Sequence, residues 1–162
     1  MIQIGLNSPG KCSANEIRDF VDLVVQGGEV AVRGLDERVM TAELLVFLRA
    51  DGQLVGVAAV KNPNDIYRSR VAQASGFALS KQLFPYELGW VFVSPSARGK
   101  GYAKFLAEAV VSQVSGRGIL ATSRLDNFAM HRVLAGLGFL PSGSAYRSTH
   151  GEHQLQLFTR PA

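Results

Sequence analysis

One segment constrains the fold of this chain more than any other. Tyr86 to Ala103 reads "YELGWVFVSPSARGKGYA". It predicts a strand that stops at Ser94-Pro95, a glycine-rich turn, and a helix that begins at about Tyr102. The first N–H groups of a helix are unpaired and point outward, and the helix dipole favours an anion there. A glycine-rich turn into such a helix is therefore suited to phosphate. Gly99 and Gly101 allow a phosphate close to the backbone, and Arg98, Lys100 and Lys104 add positive charge. The competing reading is an ordinary strand-to-helix turn with surface basic residues.

Two familiar phosphate loops do not fit. A Walker loop needs G-x-x-x-x-G-K-[ST]. Here Ser94 stands at the first position and Gly101 follows Lys100, so no hydroxyl is available for magnesium. A dinucleotide fingerprint needs G-x-G-x-x-G, and its third glycine is Lys104. Both loops also belong early in a βαβ unit, whereas this one lies past the middle of the chain.

The surrounding pattern is mixed. Met1 to Leu6 reads as a strand. "SANE" from Ser13 to Glu16 is a capping box, and Ile17, Val21 and Val24 then share one helical stripe. A short helix is expected around Leu35 to Thr41. "LLVFLRA" and "QLVGVAAV" form a hairpin about Asp51-Gly52. Asn62 to Lys81 is polar and irregular, and is expected to be a long loop. After the glycine turn come a helix carrying Leu106 and Val110, a strand "GILATS", and a helix from about Asn127 to Gly138. "FLPSGSAYRS" and "HQLQLFTR" predict a closing hairpin. The expectation is an α/β chain of one domain, 1–162, with sheet strands interleaved with helices.

Composition narrows the function classes. The net charge is +4, which favours an anionic ligand without naming one. No Lys/Arg run with interleaved aromatics speaks for nucleic acid. The single cysteine, Cys12, forms no internal disulfide, argues against a cysteine zinc site, and suits a reducing cytoplasm as a small filler beside a helix start. The three histidines, His131, His150 and His153, make no H-x-x-x-H pair, so no metal is expected. No apolar run is long enough for a membrane span, and no signal peptide is read at the start.

With these residues in place, the sequence resembles the GNAT superfamily of N-acetyltransferases. "RGKGYA" matches its Q/R-x-x-G-x-G/A motif as Arg98, Gly101 and Ala103. "ELGWVFVSPSA" is similar to its central strand, and "DNFAMHRVLAGLGF" to the segment in which an asparagine opens a helix closing in "GF". The motifs occupy roughly Glu87 to Phe139. The resemblance implies a GNAT-like acyl-CoA N-acyltransferase fold, with a central, mostly antiparallel mixed sheet flanked by helices. It implies acetyl-CoA as cosubstrate, with backbone amides of Arg98, Gly99, Lys100, Gly101, Tyr102 and Ala103 around the pyrophosphate. Phe92 and Val93 are then expected to pair with the pantetheine arm as an added strand would. Asn127 matches the asparagine that contacts the cofactor arm, and helix capping is its alternative role.

Acyl transfer to an amine needs a base, an oxyanion donor and a leaving thiolate. The resemblance puts a candidate base at Glu87, which opens the central strand; an ion pair with Arg68 or Arg70 is its alternative role. A backbone N–H near Val93 is the oxyanion donor that the resemblance implies. Many members carry a tyrosine shortly before the "GF" glycine to protonate the thiolate; that position is Leu134 here. Tyr146 and Ser123 are the remaining candidates by strand position, and His131 is expected to face solvent. The acceptor is read as an amine, small molecule or peptide, shaped by Ile17 to Thr41 and Asn62 to Phe84. Arg68 and Arg70 offer charge for an acceptor carboxylate or phosphate, or belong to a solvated loop. The alternative to an enzyme is a non-catalytic acyl-CoA sensor. "HQLQLFTR" at a sheet edge offers a strand to a second copy, as a homodimer.

Overall fold

The computed structural model describes residues 1–162. The chain divides into two compact units, Met1–Lys61 with Leu88–Val110, and Asn62–Glu87 with Val111–Ala162. Strand β4, Tyr86–Val93, passes from the second unit into the first after Glu87.

The first unit contains β1 (Ile2–Asn7), α1 (Ala14–Gly27), α2 (Leu35–Met40), β2 (Leu44–Ala50) and β3 (Gln53–Lys61), joined by most of β4. Its strands lie in the order β1-β2-β3-β4. The β1–β2 and β2–β3 pairs are antiparallel. The hairpin turns as its sequence predicts: Asp51 and Gly52 have φ of 50° and 84°, the mirror-image turn whose twist matches the strands. Helix α1 begins at the capping box. Glu16 N donates to Ser13 Oγ at 3.1 Å, and Ser13 N donates to Glu16 Oε1 at 2.9 Å. Its inner face buries Phe20, Leu23 and Val24 against Leu35, Val39, Phe47 and Val57. Complete burial of one such side chain stabilises by about 1.5–3 kcal/mol. Cys12 is a free, half-buried thiol packed beside this core, as its filler role predicts.

The second unit contains α3 (Asp65–Ser75), the opening of β4, β5 (Ile119–Arg124), α5 (Phe128–Gly136), and three strands, β6 (Leu140–Pro141), β7 (Tyr146–Arg147) and β8 (Gln154–Arg160). Helix α4, Tyr102–Gln113, begins in the first unit and ends in the second. Strand β4 pairs parallel with β5 at only two positions, Tyr86↔Ile119 and Glu87↔Leu120. Strand β8 pairs antiparallel with β5, and also with β6 and β7. The fold is mixed α/β with a mostly antiparallel sheet of eight strands and flanking helices. No helix is long and apolar enough to cross a membrane.

Two expectations are corrected here. The long loop from Asn62 to Lys81 contains an eleven-residue helix, α3. It is N-capped by Asn64, whose Oδ1 accepts from Tyr67 N at 2.8 Å. Its apolar stripe is thin because two polar residues, Arg68 and Ser75, share the buried face with Val71. The closing strand "HQLQLFTR" is not an edge: β8 has β5 as one neighbour and the short β6 and β7 as others. It has no open side along which a second copy could pair.

Candidate functional site

In the first unit, β4 runs into the glycine turn. Within the strand, Trp90 has φ of 53°, a left-handed conformation that a bulky residue rarely adopts. Packing holds it there. Its ring meets Phe20 edge-on at 6.1 Å, and Lys61 Nζ lies 4.4 Å from the ring centroid. This left-handed residue stands just ahead of Phe92 and Val93, the positions that the family resemblance assigns to the cofactor arm. No local sequence signal announces it, because tryptophan is otherwise an ordinary strand residue.

The turn after β4 opens with a short 3-10 helix, Pro95–Ala97. Arg98 folds back: Nε donates to Val93 O at 3.0 Å, and the guanidinium lies 5.4 Å from the Phe92 ring centroid. Gly99 and Gly101 have φ of 80° and 79°, and a Cβ at either would meet no atom within 4 Å. The turn is therefore open at both glycine positions. Tyr102 starts α4, and Phe105 N donates to Gly101 O at 3.3 Å as the first helical turn closes. Lys104 lies 3.8 Å from Glu108, one helical turn on, and Lys100 is exposed. The open glycines, the helix start and the basic rim fit a pyrophosphate.

In the second unit, Glu87 is buried, with 3% of its surface exposed. The hydroxyl of Tyr67 on α3 donates to Glu87 Oε2 at 2.7 Å. Burial, and then the negative charge of Glu87, hold the Tyr67 phenol well above the usual tyrosine range. Tyr146 on β7 completes this cluster. Its hydroxyl is buried without a hydrogen-bond partner. Its pKa is pushed up to about 12, first by burial and then by Glu87, against a smaller opposing effect of Arg70. Sequence singled out Glu87 and Tyr146; Tyr67 was missed because its helix was missed.

The two arginines of α3 differ. Arg68 is buried, and its Nη1 donates to Phe84 O at 2.7 Å and Leu79 O at 3.4 Å. It fastens the segment leading into β4 and is not a solvated residue. Burial lowers its pKa from the usual arginine value, while Asp65 and Glu87 act in the opposite direction. Arg70 is exposed and lies over the Tyr67 ring, 5.5 Å from its centroid.

The remaining candidates sit on or near α5 and β5. Asn127 caps α5, its Oδ1 accepting from Met130 N at 3.1 Å. Leu134, at the expected tyrosine position, is fully buried. Ser123 is buried on β5. His131, expected to face solvent, is half-buried: Nε2 is 2.9 Å from Arg124 O and the ring centroid lies 4.9 Å from that of Phe158. No cluster of three or more His, Cys, Asp or Glu side chains is arranged to hold a metal ion.

Comparison with known proteins bears on the fold and the family. No curated protein sequence matches the chain. Solved structures share its fold at low identity. ElaA of Escherichia coli has a TM-score of 0.72 at 16% identity, with 99% of each chain covered. NAA60 of Arabidopsis thaliana, solved with a bisubstrate analogue, has a TM-score of 0.69 at 16% identity, again with 99% of each covered. A phosphinothricin acetyltransferase of Sinorhizobium meliloti, solved with acetyl-CoA, has a TM-score of 0.68 at 18% identity, covering 98% of this chain and 88% of that one. The family model described as "Acetyltransferase (GNAT) family" matches residues 28–139, which take in β4, the glycine turn and α5. The chain belongs to the GNAT family of acetyltransferases.

Proposed function

We propose that this protein transfers the acetyl group of acetyl-CoA to the nitrogen of a primary amine, on a small molecule or a peptide, by direct transfer in a ternary complex. The observation that carries this reading is on one strand: β4 opens with the buried carboxylate of Glu87 and runs directly into the open glycine turn. The turn residues Arg98 to Ala103 hold the pyrophosphate through backbone amides. Phe92 and Val93 take the pantetheine arm, and Asn127 adds a contact beyond its capping bond.

Acetyl-CoA supplies an activated thioester. The protein residues move protons and place the amine. Glu87 takes one proton from the acceptor ammonium, freeing the lone pair. That lone pair forms the C–N bond, and the carbonyl oxygen becomes an oxyanion facing a backbone N–H near Val93. The C–S bond then breaks with its electron pair on sulfur. The second nitrogen proton neutralises the thiolate. Thiols ionise near pH 8.5, so this leaving group departs without a dedicated acid, consistent with Leu134 at the usual tyrosine position.

The decisive experiment is release of free thiol from acetyl-CoA against a panel of amines, amino acids and peptides, for wild type and Glu87→Gln. Turnover with at least one amine is expected, with kcat reduced about 100-fold or more in the variant and acetyl-CoA binding retained. Unchanged turnover in Glu87→Gln removes Glu87 as base. Tight acetyl-CoA binding without turnover on any amine would instead favour the second reading, an acyl-CoA sensor, to which the buried Leu134 lends support.

A further inference from the structure

We propose that Tyr67 is the positioning residue for the base: its phenol holds the buried Glu87 carboxylate in one rotamer. This rests on Glu87 being the base. The direction of the bond is settled by chemistry. An ionised carboxylate has only acceptors, so the phenol donates. The phenol keeps its proton throughout the reaction, because burial and the adjacent negative charge both oppose its ionisation.

The need for such a donor follows from burial. A buried polar oxygen needs a hydrogen-bond partner, and a base must hold one orientation toward the proton it takes. The Tyr67 hydroxyl supplies that partner at 2.7 Å. Tyr67 is fixed from both ends. Its backbone N–H is bound by the cap residue Asn64, and its ring lies beneath Arg70. The other titratable or charged groups that act on the pair are Arg68 of α3 and Tyr146 of β7. Arg68 supports the charged carboxylate through its own positive charge, and Tyr146 responds to that carboxylate by holding its proton. Asp65, in the first turn of α3, acts on Arg68. The helix hidden in the apparent loop thus carries the donor and a supporting positive charge on consecutive residues.

The test is a double-mutant cycle read in kcat and KM separately. Tyr67→Phe keeps the ring and removes the donor. Its kcat is expected to fall about tenfold, as for loss of one hydrogen bond to a charged group. The acetyl-CoA KM should be unchanged, so that the loss falls on kcat alone. In a Glu87→Gln background the same change should cost less than about twofold, because the charge it serves is gone. Wild-type kcat in Tyr67→Phe overturns the proposal. So does an equal loss in both backgrounds, which marks a structural role. A wild-type rate in Glu87→Gln alone is a different failure: it removes the base itself. A second measurement needs no phenylalanine at position 67. In a Tyr146→Phe background, ultraviolet titration of the phenols should show one tyrosine ionising late, and Glu87→Gln should bring it to lower pH. No shift between those proteins overturns the contact.

Discussion

The Nε of Arg98 donates to the carbonyl of Val93 at 3.0 Å, so the first arginine of the glycine turn is bonded to the strand it has just left. The guanidinium also covers the Phe92 ring at 5.4 Å. The motif arginine therefore acts on loop shape as well as on charge. Arg98→Met removes both contacts. Acetyl-CoA affinity is expected to weaken about three- to tenfold, the range for one net hydrogen bond at an exposed residue. Isothermal titration measures this, and an unchanged Kd would show that the turn keeps its shape without the contact.

Trp90 has φ of 53°, which normally costs a non-glycine residue about 1–2 kcal/mol. Both Trp90→Ala and Trp90→Gly lose the Phe20 and Lys61 contacts and should destabilise by about 3 kcal/mol or more. Glycine relieves the backbone, so Trp90→Gly should be the more stable of the two by about 1 kcal/mol. This inverts the usual order within a strand. Urea unfolding of the two variants decides it.

Gly118 sits against the segment that leads into β4. A Cβ there would lie 1.8 Å from the Leu83 carbonyl oxygen and 2.9 Å from its carbon. That neighbour is backbone and cannot rotate away. Gly118→Ala should destabilise by about 3 kcal/mol or more. Gly136→Ala, where a Cβ meets nothing within 4 Å at the end of α5, should be neutral or raise stability by up to about 1 kcal/mol. Thermal unfolding of the pair separates close approach from mere loss of a glycine.

The two clustered phenols predict alkaline instability. Tyr146 ionises at about 12 in the folded protein, against about 10 for an unfolded tyrosine. Tyr67 is raised as well. Raised phenols contribute stability that is fully present below pH 10 and is lost as pH rises towards 12. The midpoint of denaturant unfolding should fall over that window. Tyr146→Phe should flatten the fall without changing its position for the remaining phenol. A midpoint as steep in the variant as in wild type would exclude Tyr146 as a source.

Much of the architecture was legible in residue order. The capping box at Ser13, the Asp51-Gly52 hairpin and the strand from Tyr86 to Val93 all form where local chemistry places them. Each depends on interactions within a few residues: a side chain reaching its own backbone, a turn needing positive φ, an apolar run that stops at proline. The glycine turn belongs with them, because its open face follows from two residues without side chains.

What sequence left undecided is the placement of polar side chains in the interior. Helix α3 looked like a loop because Ile66 is 81% exposed, while Arg68 and Ser75 are buried. Hydrophobic periodicity assumes the opposite arrangement. Arg68 is satisfied by Phe84 O and Leu79 O, and Tyr67 by Glu87, all partners from beyond the helix. Likewise the left-handed Trp90 is held by Phe20 and Lys61, each far along the chain. Sequence alone determined the open glycine turn and the strand carrying Glu87. Only tertiary structure decided which groups surround that carboxylate, because a buried polar atom is placed by its partner, and its partner lies elsewhere in the chain.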